Sequence, residues 1–516
     1  MQNQTTNSIY SNRGFSLEEI DLSLLKGLSL SVSRANRFLP LRVSDGKLMG
    51  LVSGRNGVFA LREMARQMEL GYEPIKISEE ELDEAINRAY GQTGSAEDVM
   101  ESIAGEDLSK VATEFESPRD LLEITDDAPI IRLLNAILQQ AVKERASDIH
   151  IEPYERGLDV RFRIDGILRK VLSPPKLIHD ALITRVKILS NLDIAEKRLP
   201  QDGRIRVIIA GRDVDIRVSV VPTVFGERAV LRLLDRRQGM LGLDQVGLEE
   251  DAEEYLKELL SKTNGIILVT GPTGSGKTTT LYAALNIVKR DERNIITVED
   301  PVEYQLEGVG QIQVNPKIGL TFAQGLRSIL RQDPDVIMVG EIRDRETAEI
   351  SIQASLTGHL VLSTLHTNDA STAVSRLLEM GIEPFLVSSS LMCVIAQRLV
   401  RTVCTGCKIK YEPSVREREI IERHGITVDA LYKGSGCNNC NGTGYYGRTG
   451  LFEILNVTHS IRDLINKRAD AHTIREKAVS EGMRLLREDG LMKAVKGITT
   501  MEEVLRVTSV TEDVPV

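Results

Sequence analysis

One short segment constrains the fold of this 516-residue chain more than any other. The run Gly271-Pro-Thr-Gly-Ser-Gly-Lys-Thr278 matches the pattern G-x-x-x-x-G-K-[ST] in full. It follows an apolar run, Gly265–Thr270, and precedes a stretch in which Leu281, Leu285 and Val288 recur at helical spacing. The pattern therefore predicts a buried strand, a glycine-rich loop and a helix in succession, an arrangement in which backbone N–H groups surround a phosphate.

The residue types in this loop also indicate its ligand. The Lys277 side chain is expected to reach the β- and γ-phosphates, and the Thr278 hydroxyl to bind Mg²⁺. A glycine-rich turn that binds no nucleotide is the alternative. We predict a site for ATP and Mg²⁺ built from Gly271, Pro272, Thr273, Gly274, Ser275, Gly276, Lys277, Thr278 and Thr279.

Three further apolar runs predict the fold class. They are rich in β-branched or aliphatic residues, and helical stretches separate them: Asn294–Val298, Val336–Val339 and Leu360–Thr364. Strands that alternate with helices predict an α/β fold, with a parallel sheet covered on both faces.

Acidic residues and a histidine follow these strands. Glu299 and Asp300 follow the first strand, with Glu303 one turn later, while Glu341 follows the second and His366 the third. Ligands of open α/β sheets bind at the carboxyl ends of the strands, and hydrolysis needs a carboxylate to position water. The three strand ends together predict hydrolysis, although taken singly Glu299 could cap a helix and His366 could be a core histidine.

The region before this core predicts a different architecture. Apolar residues recur at helical spacing between Ile130 and Ala141, and the pattern then alternates over Leu158–Ile164, before the tight-turn pair Asp165-Gly166, and again over Val214–Val220. We therefore predict an α+β module that ends near Arg237.

Four of the five cysteines form two Cys-x-x-Cys pairs, Cys404/Cys407 and Cys437/Cys440, with 29 residues between the pairs. Two such knuckles can close a tetrahedral four-thiolate site, for which zinc is the best-suited metal. A redox pair and an iron–sulfur cluster are the alternatives. Cys393 lies in an apolar stretch that we predict to be helical and is expected in the core.

Charge and composition limit the partners. The formal charge is 65 − 75 = −10, aromatic residues make up 4% and tryptophan is absent, so nucleic acid is not an expected partner. No apolar run approaches the length of a membrane span, and the polar N-terminus predicts no secretion signal. Basic residues cluster near the first cysteine pair: Arg398, Arg401, Lys408 and Lys410. We expect this cluster on a solvent-exposed face; the alternative is a patch that binds anionic lipid or an acidic partner.

Several longer motifs resemble one superfamily. VIMVGEIRD, ITVEDPVEY and TGHLVLSTLHTNDA look like the secretion ATPases that power type II secretion, type IV pili and conjugation. ASDIHIEPYE and IAEKRLPQDGRI resemble the branch of type II secretion and pilus-assembly ATPases, and the likeness is strongest to the type II secretion ATPases. The resemblance covers residues 120–516 and is weaker over the first 90.

This resemblance implies roles for individual side chains. Glu341 would orient the attacking water or support Mg²⁺ through it, and Glu299, Asp300 and Glu303 would lie near the metal and water. His359 and His366 would flank a histidine box, with His366 sensing the nucleotide state. Arginines that contact phosphate in the assembled ring would be Arg217 and Arg232, with Arg327 and Arg331 as further candidates; a structural ion pair is the alternative for each.

The resemblance also implies an architecture and partners. The chain would form a homo-oligomer, namely a hexamer, at the cytoplasmic face of the bacterial inner membrane. It would dock on the cytoplasmic domains of secretion platform proteins, with acidic phospholipid as a further partner. The chain would contain six parts. In order, they are an N-terminal docking domain (1–90), a linker (91–120), an α+β domain that contacts nucleotide (121–240), a RecA-like core (241–400), a zinc-bearing four-cysteine module (401–445) and a helical C-terminal part (446–516).

Three other functions remain alternatives. A pilus-assembly ATPase shares the core and often the cysteine pairs. A nucleic-acid translocase is disfavoured by the acidic charge and the scarcity of aromatic residues. A nucleotide-binding scaffold without catalysis is disfavoured by the presence of Lys277, Thr278 and Glu341.

Overall fold

A computed structural model describes residues 20–25, 28, 30–90, 96, 100, 129–209, 212–235, 241–288 and 291–509. The chain divides into two compact units, Met1–Asp235 and Arg236–Val516. The predicted linker, 91–120, lies outside the described residues except for Ala96 and Met100. Within the described ranges, no helix combines the length and apolar character needed to cross a bilayer.

The first unit opens with a three-stranded sheet of order β1-β2-β3, in which β1 and β2 are antiparallel and β2 and β3 parallel. A capping box starts its last helix: the Ser78 and Glu81 side chains each accept from the other residue's backbone N–H. The elements are a 3₁₀ turn (Leu22–Leu25), α1 (Leu30–Asn36), β1 (Phe38–Ser44), β2 (Lys47–Val52), α2 (Gly54–Gln67), β3 (Gly71–Lys76) and α3 (Glu79–Tyr90).

The predicted α+β module follows in the same unit as an antiparallel six-stranded sheet of order β6-β5-β4-β9-β8-β7. Asp165-Gly166 makes the predicted hairpin, because Ile164 pairs with Ile167. One face packs its apolar residues against α4 and α5, and charged side chains lie on the other. The elements are α4 (Pro129–Lys143), β4 (Asp148–Pro153), β5 (Leu158–Ile164), β6 (Ile167–Leu172), a 3₁₀ turn (Lys176–Ile178), α5 (His179–Leu189), β7 (Gln201–Ile209), β8 (Arg212–Thr223) and β9 (Gly226–Asp235).

The second unit is built on a seven-stranded sheet of order β12-β11-β13-β14-β10-β15-β18. All neighbouring strands are parallel except β15 and β18, which are antiparallel. The strands are β10 (Gly265–Thr270), β11 (Ile295–Glu299), β12 (Gly310–Gln313), β13 (Val336–Val339), β14 (Leu360–Leu365), β15 (Leu391–Val403) and β18 (Tyr445–Asn456).

Helices cover both faces of this sheet, as the sequence predicts. The sheet has an apolar core on each face. The helix Lys277–Ile287 packs in one of these cores, and the helix Ala370–Glu379 packs in the other. The helices are α6 (Leu243–Val246), α7 (Glu250–Ser261), α8 (Lys277–Ile287), a 3₁₀ turn (Pro316–Ile318), α9 (Phe322–Ile329), α10 (Arg345–Leu356), α11 (Ala370–Glu379), α12 (Pro384–Ser390), α14 (His459–Asn466), α15 (Ala471–Ser480), α16 (Leu486–Val495) and α17 (Met501–Thr508).

The four-cysteine segment leaves the sheet between β15 and β18. It contains β16 (Lys408–Tyr411), α13 (Val415–Arg423), β17 (Leu431–Gly434) and a 3₁₀ turn (Asn438–Cys440). The prediction of a helical part from residue 446 is wrong at its start, because β18 occupies that stretch and completes the sheet beside β15. The helix predicted around Cys393 is also wrong, since this buried residue belongs to β15.

Candidate functional site

The glycine-rich loop lies where the sequence predicts it, between the buried strand β10 and helix α8. Gly271 and Gly276 have φ angles of +152° and +90°. A Cβ at Gly271 would lie 2.5 Å from the carbonyl oxygen of Gln397, and one at Gly276 would lie 2.8 Å from its Nε2. Glycine is favoured at Gly271 because the backbone of β15 leaves no room for a side chain, and at Gly276 because of its positive φ.

Lys277, the cation of this loop, is buried. Its Nζ donates to the carbonyl oxygens of Gly271 at 2.8 Å and Pro272 at 3.1 Å. Burial lowers the pKa of Lys277 to about 8, with the charge of Glu341 opposing and that of Arg398 adding to the effect. The next residue, Thr278, is exposed in the first turn of α8, as a residue that binds an incoming ligand should be.

Glu341 follows β13 and is held by two side chains, an arginine and a histidine. Arg343 donates to one of its carboxylate oxygens, and Nε2 of His366 lies 3.2 Å from the other. Burial alone would raise the pKa of Glu341, but the hydrogen bond and charge of Arg343, together with His366, hold it below its ordinary value. The carboxylate is thus ionised and oriented, as a group that positions water must be.

His366 reaches this site because the loop after β14 is anchored to β10. The Thr270 hydroxyl accepts from the Thr367 backbone N–H at 2.9 Å and lies 2.7 Å from the Thr367 hydroxyl. His359 is at the other end of β14, where Nδ1 lies 2.8 Å from the Ala354 carbonyl oxygen. Only one of the two predicted histidines therefore belongs to the carboxyl edge.

Glu299 ends β11 but points into the protein. Its carboxylate accepts hydrogen bonds from Tyr282, from Thr297 at 2.5 Å and from Gln311 at 3.1 Å. Burial raises the pKa of Glu299, against the effect of these hydrogen bonds. With its oxygens engaged in this way, Glu299 fixes the local structure of the site.

The other two predicted acids lie in the loop after β11. Asp300 is exposed, and one of its carboxylate oxygens is 4.0 Å from Nη1 of Arg343. The backbone N–H of Glu303 donates to the Tyr282 hydroxyl at 3.3 Å. Tyr282 thus joins α8, which follows the phosphate loop, to both ends of the acidic segment.

Of the four predicted arginines, Arg217 is partly buried and the other three are exposed. Arg217 on β8 and Arg232 on β9 are opposite each other in the strand register of the first unit. Nε of Arg232 donates to Asp148 at 2.9 Å. Arg327 donates to Glu346, and Nη1 of Arg331 donates at 2.8 Å to the carbonyl oxygen of Arg327. The phosphate-binding roles of these four arginines remain predictions.

Sequence reasoning missed four residues of this site. For Arg343 in the motif GEIRD and for Tyr282 on α8, the only sequence indication of a place in the site is their spacing from Glu341 and Lys277. Gln397 has no such indication, because the pairing of β15 with β10 brings it beneath the phosphate loop. The placement of Arg398 on a solvent-exposed face is wrong, since only 6% of it is exposed.

The four paired cysteines come together as predicted. The Sγ atoms of Cys404 and Cys437 are 3.7 Å apart, those of Cys407 and Cys440 3.8 Å, and those of Cys437 and Cys440 3.7 Å. A tetrahedral zinc site with Zn–S bonds of about 2.3 Å has S–S edges of about 3.8 Å. The cluster therefore fits a zinc ion in both donor chemistry and size.

A phosphate-binding loop after a buried strand, with an ionised carboxylate at the end of a nearby parallel strand, defines a P-loop nucleoside triphosphatase. The sequence model of the type II/IV secretion system protein family matches residues 123–506, and that of the MshEN domain matches residues 15–96. The chain belongs to this secretion family and is one of its ATP-hydrolysing members.

Individual relatives agree with this assignment. "Type II secretion system ATPase E" of Vibrio cholerae is 51% identical over 87% of this chain and 90% of its own length. "Type II secretion system protein HxcR" of Pseudomonas aeruginosa is 50% identical over 92% of this chain and 98% of its own. The predicted family, the α/β P-loop fold and the enzyme class are therefore confirmed.

Solved structures share the fold. The ATPase DotB of Legionella pneumophila superposes with a TM-score of 0.54 at 23% identity, over 76% of this chain and 98% of that one. The pilus retraction motor PilT, solved with bound ADP, gives 0.50 at 26% identity, over 74% of this chain and 97% of that one.

Proposed function

We propose that this chain is the motor of a type II secretion system, which hydrolyses ATP to drive assembly of a pilin-like filament that pushes folded proteins outward. The ionised Glu341 between Arg343 and His366, on a strand near the phosphate loop, is the observation that carries this proposal. The names of the most similar relatives support type II secretion as the process that the motor serves.

In this proposal the nucleotide lies on the loop from Gly271 to Thr279. Lys277 binds its terminal phosphates, the Thr278 hydroxyl ligates Mg²⁺, and Glu341 orients the attacking water. Glu299 is a positioning residue, because its carboxylate is enclosed by three donors. Asp300 and Glu303 border the space for metal and water, and His366 senses the nucleotide state through its contact with Glu341.

The proposed working form is a homo-hexameric ring at the cytoplasmic face of the inner membrane. In that ring the phosphate contacts of Arg217 and Arg232 come from the α+β domain, with Arg327 and Arg331 as further candidates. The N-terminal domain and the membrane platform proteins dock together, and acidic phospholipid is a further contact. Cys404, Cys407, Cys437 and Cys440 hold a structural zinc ion that makes the module between β15 and β18 rigid.

A genetic complementation test addresses this function. In a strain that lacks its own copy of this gene, the wild-type chain should restore export of the secreted proteins, whereas Lys277→Ala should not. Restored pilus formation with no restored export would instead support a pilus motor, the alternative favoured by the likeness to PilT. ATP turnover that rises when DNA is added would favour a nucleic-acid translocase.

A further inference from the structure

Arg398 lies at the level of the phosphate loop. In the pairing of β15 with β10, Ala396 is opposite Thr270, the last residue of β10. Arg398 is two residues further along, so it extends past the carboxyl edge of β10, where the loop begins. The preceding residue, Gln397, bonds α8 through Thr280 at 2.7 Å. Successive strand residues point to opposite faces, so Arg398 projects towards the loop before α11.

The guanidinium of Arg398 is buried, and no described carboxylate forms an ion pair with it. Its Nη2 donates to the Asn368 side-chain oxygen at 3.0 Å and to the Asn368 carbonyl oxygen at 3.2 Å. Its Nη1 is buried and has no hydrogen-bond partner among the described residues. Burial lowers the pKa of Arg398, while the more distant Asp369 and Glu453 act in the opposite direction.

Both of those carboxylates are committed elsewhere. Asp369 caps α11 by accepting from the Thr372 backbone N–H at 2.8 Å. Glu453 accepts from the Ala370 backbone N–H at 2.9 Å, and burial raises its pKa to about 7. Neither forms an ion pair with Arg398. Arg401, on the same strand, differs in this respect, because its guanidinium pairs with Glu503 at 2.7 Å.

A buried arginine without an anion is costly, since its charge has left water and gained nothing in return. We propose that Arg398 is an anion-binding group of the nucleotide site, whose Nη1 donates to a phosphate oxygen of bound ATP while Nη2 holds Asn368. The contact would connect the phosphate to the loop that carries His366, which in turn contacts Glu341. The inference rests on nucleotide binding at the phosphate loop.

The test compares Arg398→Met with Arg401→Met in the full chain. Thermal unfolding is followed with and without the non-hydrolysable ATP analogue AMPPNP and Mg²⁺, and the affinity for the analogue is measured by titration. Arg398→Met should leave the unfolding midpoint of the nucleotide-free chain unchanged or raised, and weaken analogue binding by about ten- to one-hundred-fold, as expected for a hydrogen bond to a charged group. Arg401→Met should lower the midpoint and retain wild-type affinity.

Arg398→Lys, which keeps the charge but not the planar fork, should give an intermediate affinity and serves if Arg398→Met does not fold. Wild-type affinity in either Arg398 variant would overturn the inference alone, provided that the wild-type chain binds the analogue and Lys277→Ala does not. Failure of the wild-type chain to bind the analogue would overturn the nucleotide site itself, and this inference with it.

Discussion

At the scale of single residues, the ionisation of Glu341 depends on Arg343. Burial raises the pKa of Glu341, but the hydrogen bond and charge of Arg343, together with His366, hold it below its ordinary value. Arg343→Ala removes the contribution of Arg343 and leaves burial and His366, so the pKa of Glu341 should rise. Because the carboxylate must be ionised to orient water, the acidic limb of the kcat–pH profile should move to higher pH than in the wild-type chain.

Arg345→Ala is the matched control, because it removes only an exposed pair with Glu349, at 2.7 Å. Its profile should coincide with that of the wild-type chain. An acidic limb that stays in place in Arg343→Ala, or moves to lower pH, would contradict the assignment of Glu341.

Lys277 predicts a proton linked to nucleotide binding. In the nucleotide-free chain burial lowers its pKa to about 8, and the negative charge of bound phosphates should raise it. Affinity for ATP should therefore be constant below about pH 8 and fall above it by at most about tenfold per pH unit. Calorimetric titrations in two buffers of different ionisation enthalpy should detect proton uptake on ATP binding at pH 9 and little uptake at pH 7. Equal proton uptake at both pH values would contradict the link between Lys277 and nucleotide binding.

At the scale of elements, Tyr282 connects helix α8 to the acidic loop. Tyr282→Phe removes the hydrogen bond to the buried Glu299 carboxylate and the acceptor for the Glu303 N–H. The free energy of unfolding of this unit should fall by about 2 kcal/mol. Urea denaturation measures this change. Tyr255→Phe is the control, since the Tyr255 hydroxyl has no hydrogen bond to a described residue. Equal stability of the two variants would refute the proposed connection between α8 and the acidic loop.

The four-cysteine module predicts one bound zinc ion per chain. Cys437→Ser should abolish the metal content, because it removes one corner of a cluster whose thiols are 3.7–3.8 Å apart. Cys393→Ser should retain it, since this cysteine is in β15 and outside the cluster. Elemental analysis measures the metal content of chains that are purified without added metal or chelator. Iron, or no metal, in the wild-type chain would contradict the zinc assignment.

The elements that the sequence predicts well are those with a local signal. The strands around the phosphate loop and the Asp165-Gly166 hairpin depend on short patterns. The strand β18 and the strand around Cys393 do not, because their apolar residues owe their positions to pairing between strands far apart in sequence.

At the scale of the whole molecule, the candidate site is only partly predictable from sequence. Motifs placed Lys277, Glu341 and His366 at strand ends, and parallel strands bring such ends to one edge. The partners that set their charges, such as Arg343 and Arg398, depend on side-chain direction and burial, which the motifs do not specify. For the arginines of the first unit, Arg217 among them, the contact with nucleotide that we propose depends on the assembly of several chains.

The central claim is that ATP bound at the phosphate loop is hydrolysed under the guidance of Glu341. Glu341→Gln keeps the size of this side chain but removes its charge, so the oligomeric variant should bind ATP with nearly wild-type affinity and turn it over about 10²–10⁴-fold more slowly. The decisive measurement is ATP affinity and steady-state turnover of the two chains side by side. Normal turnover by Glu341→Gln in the assembled state would contradict the account.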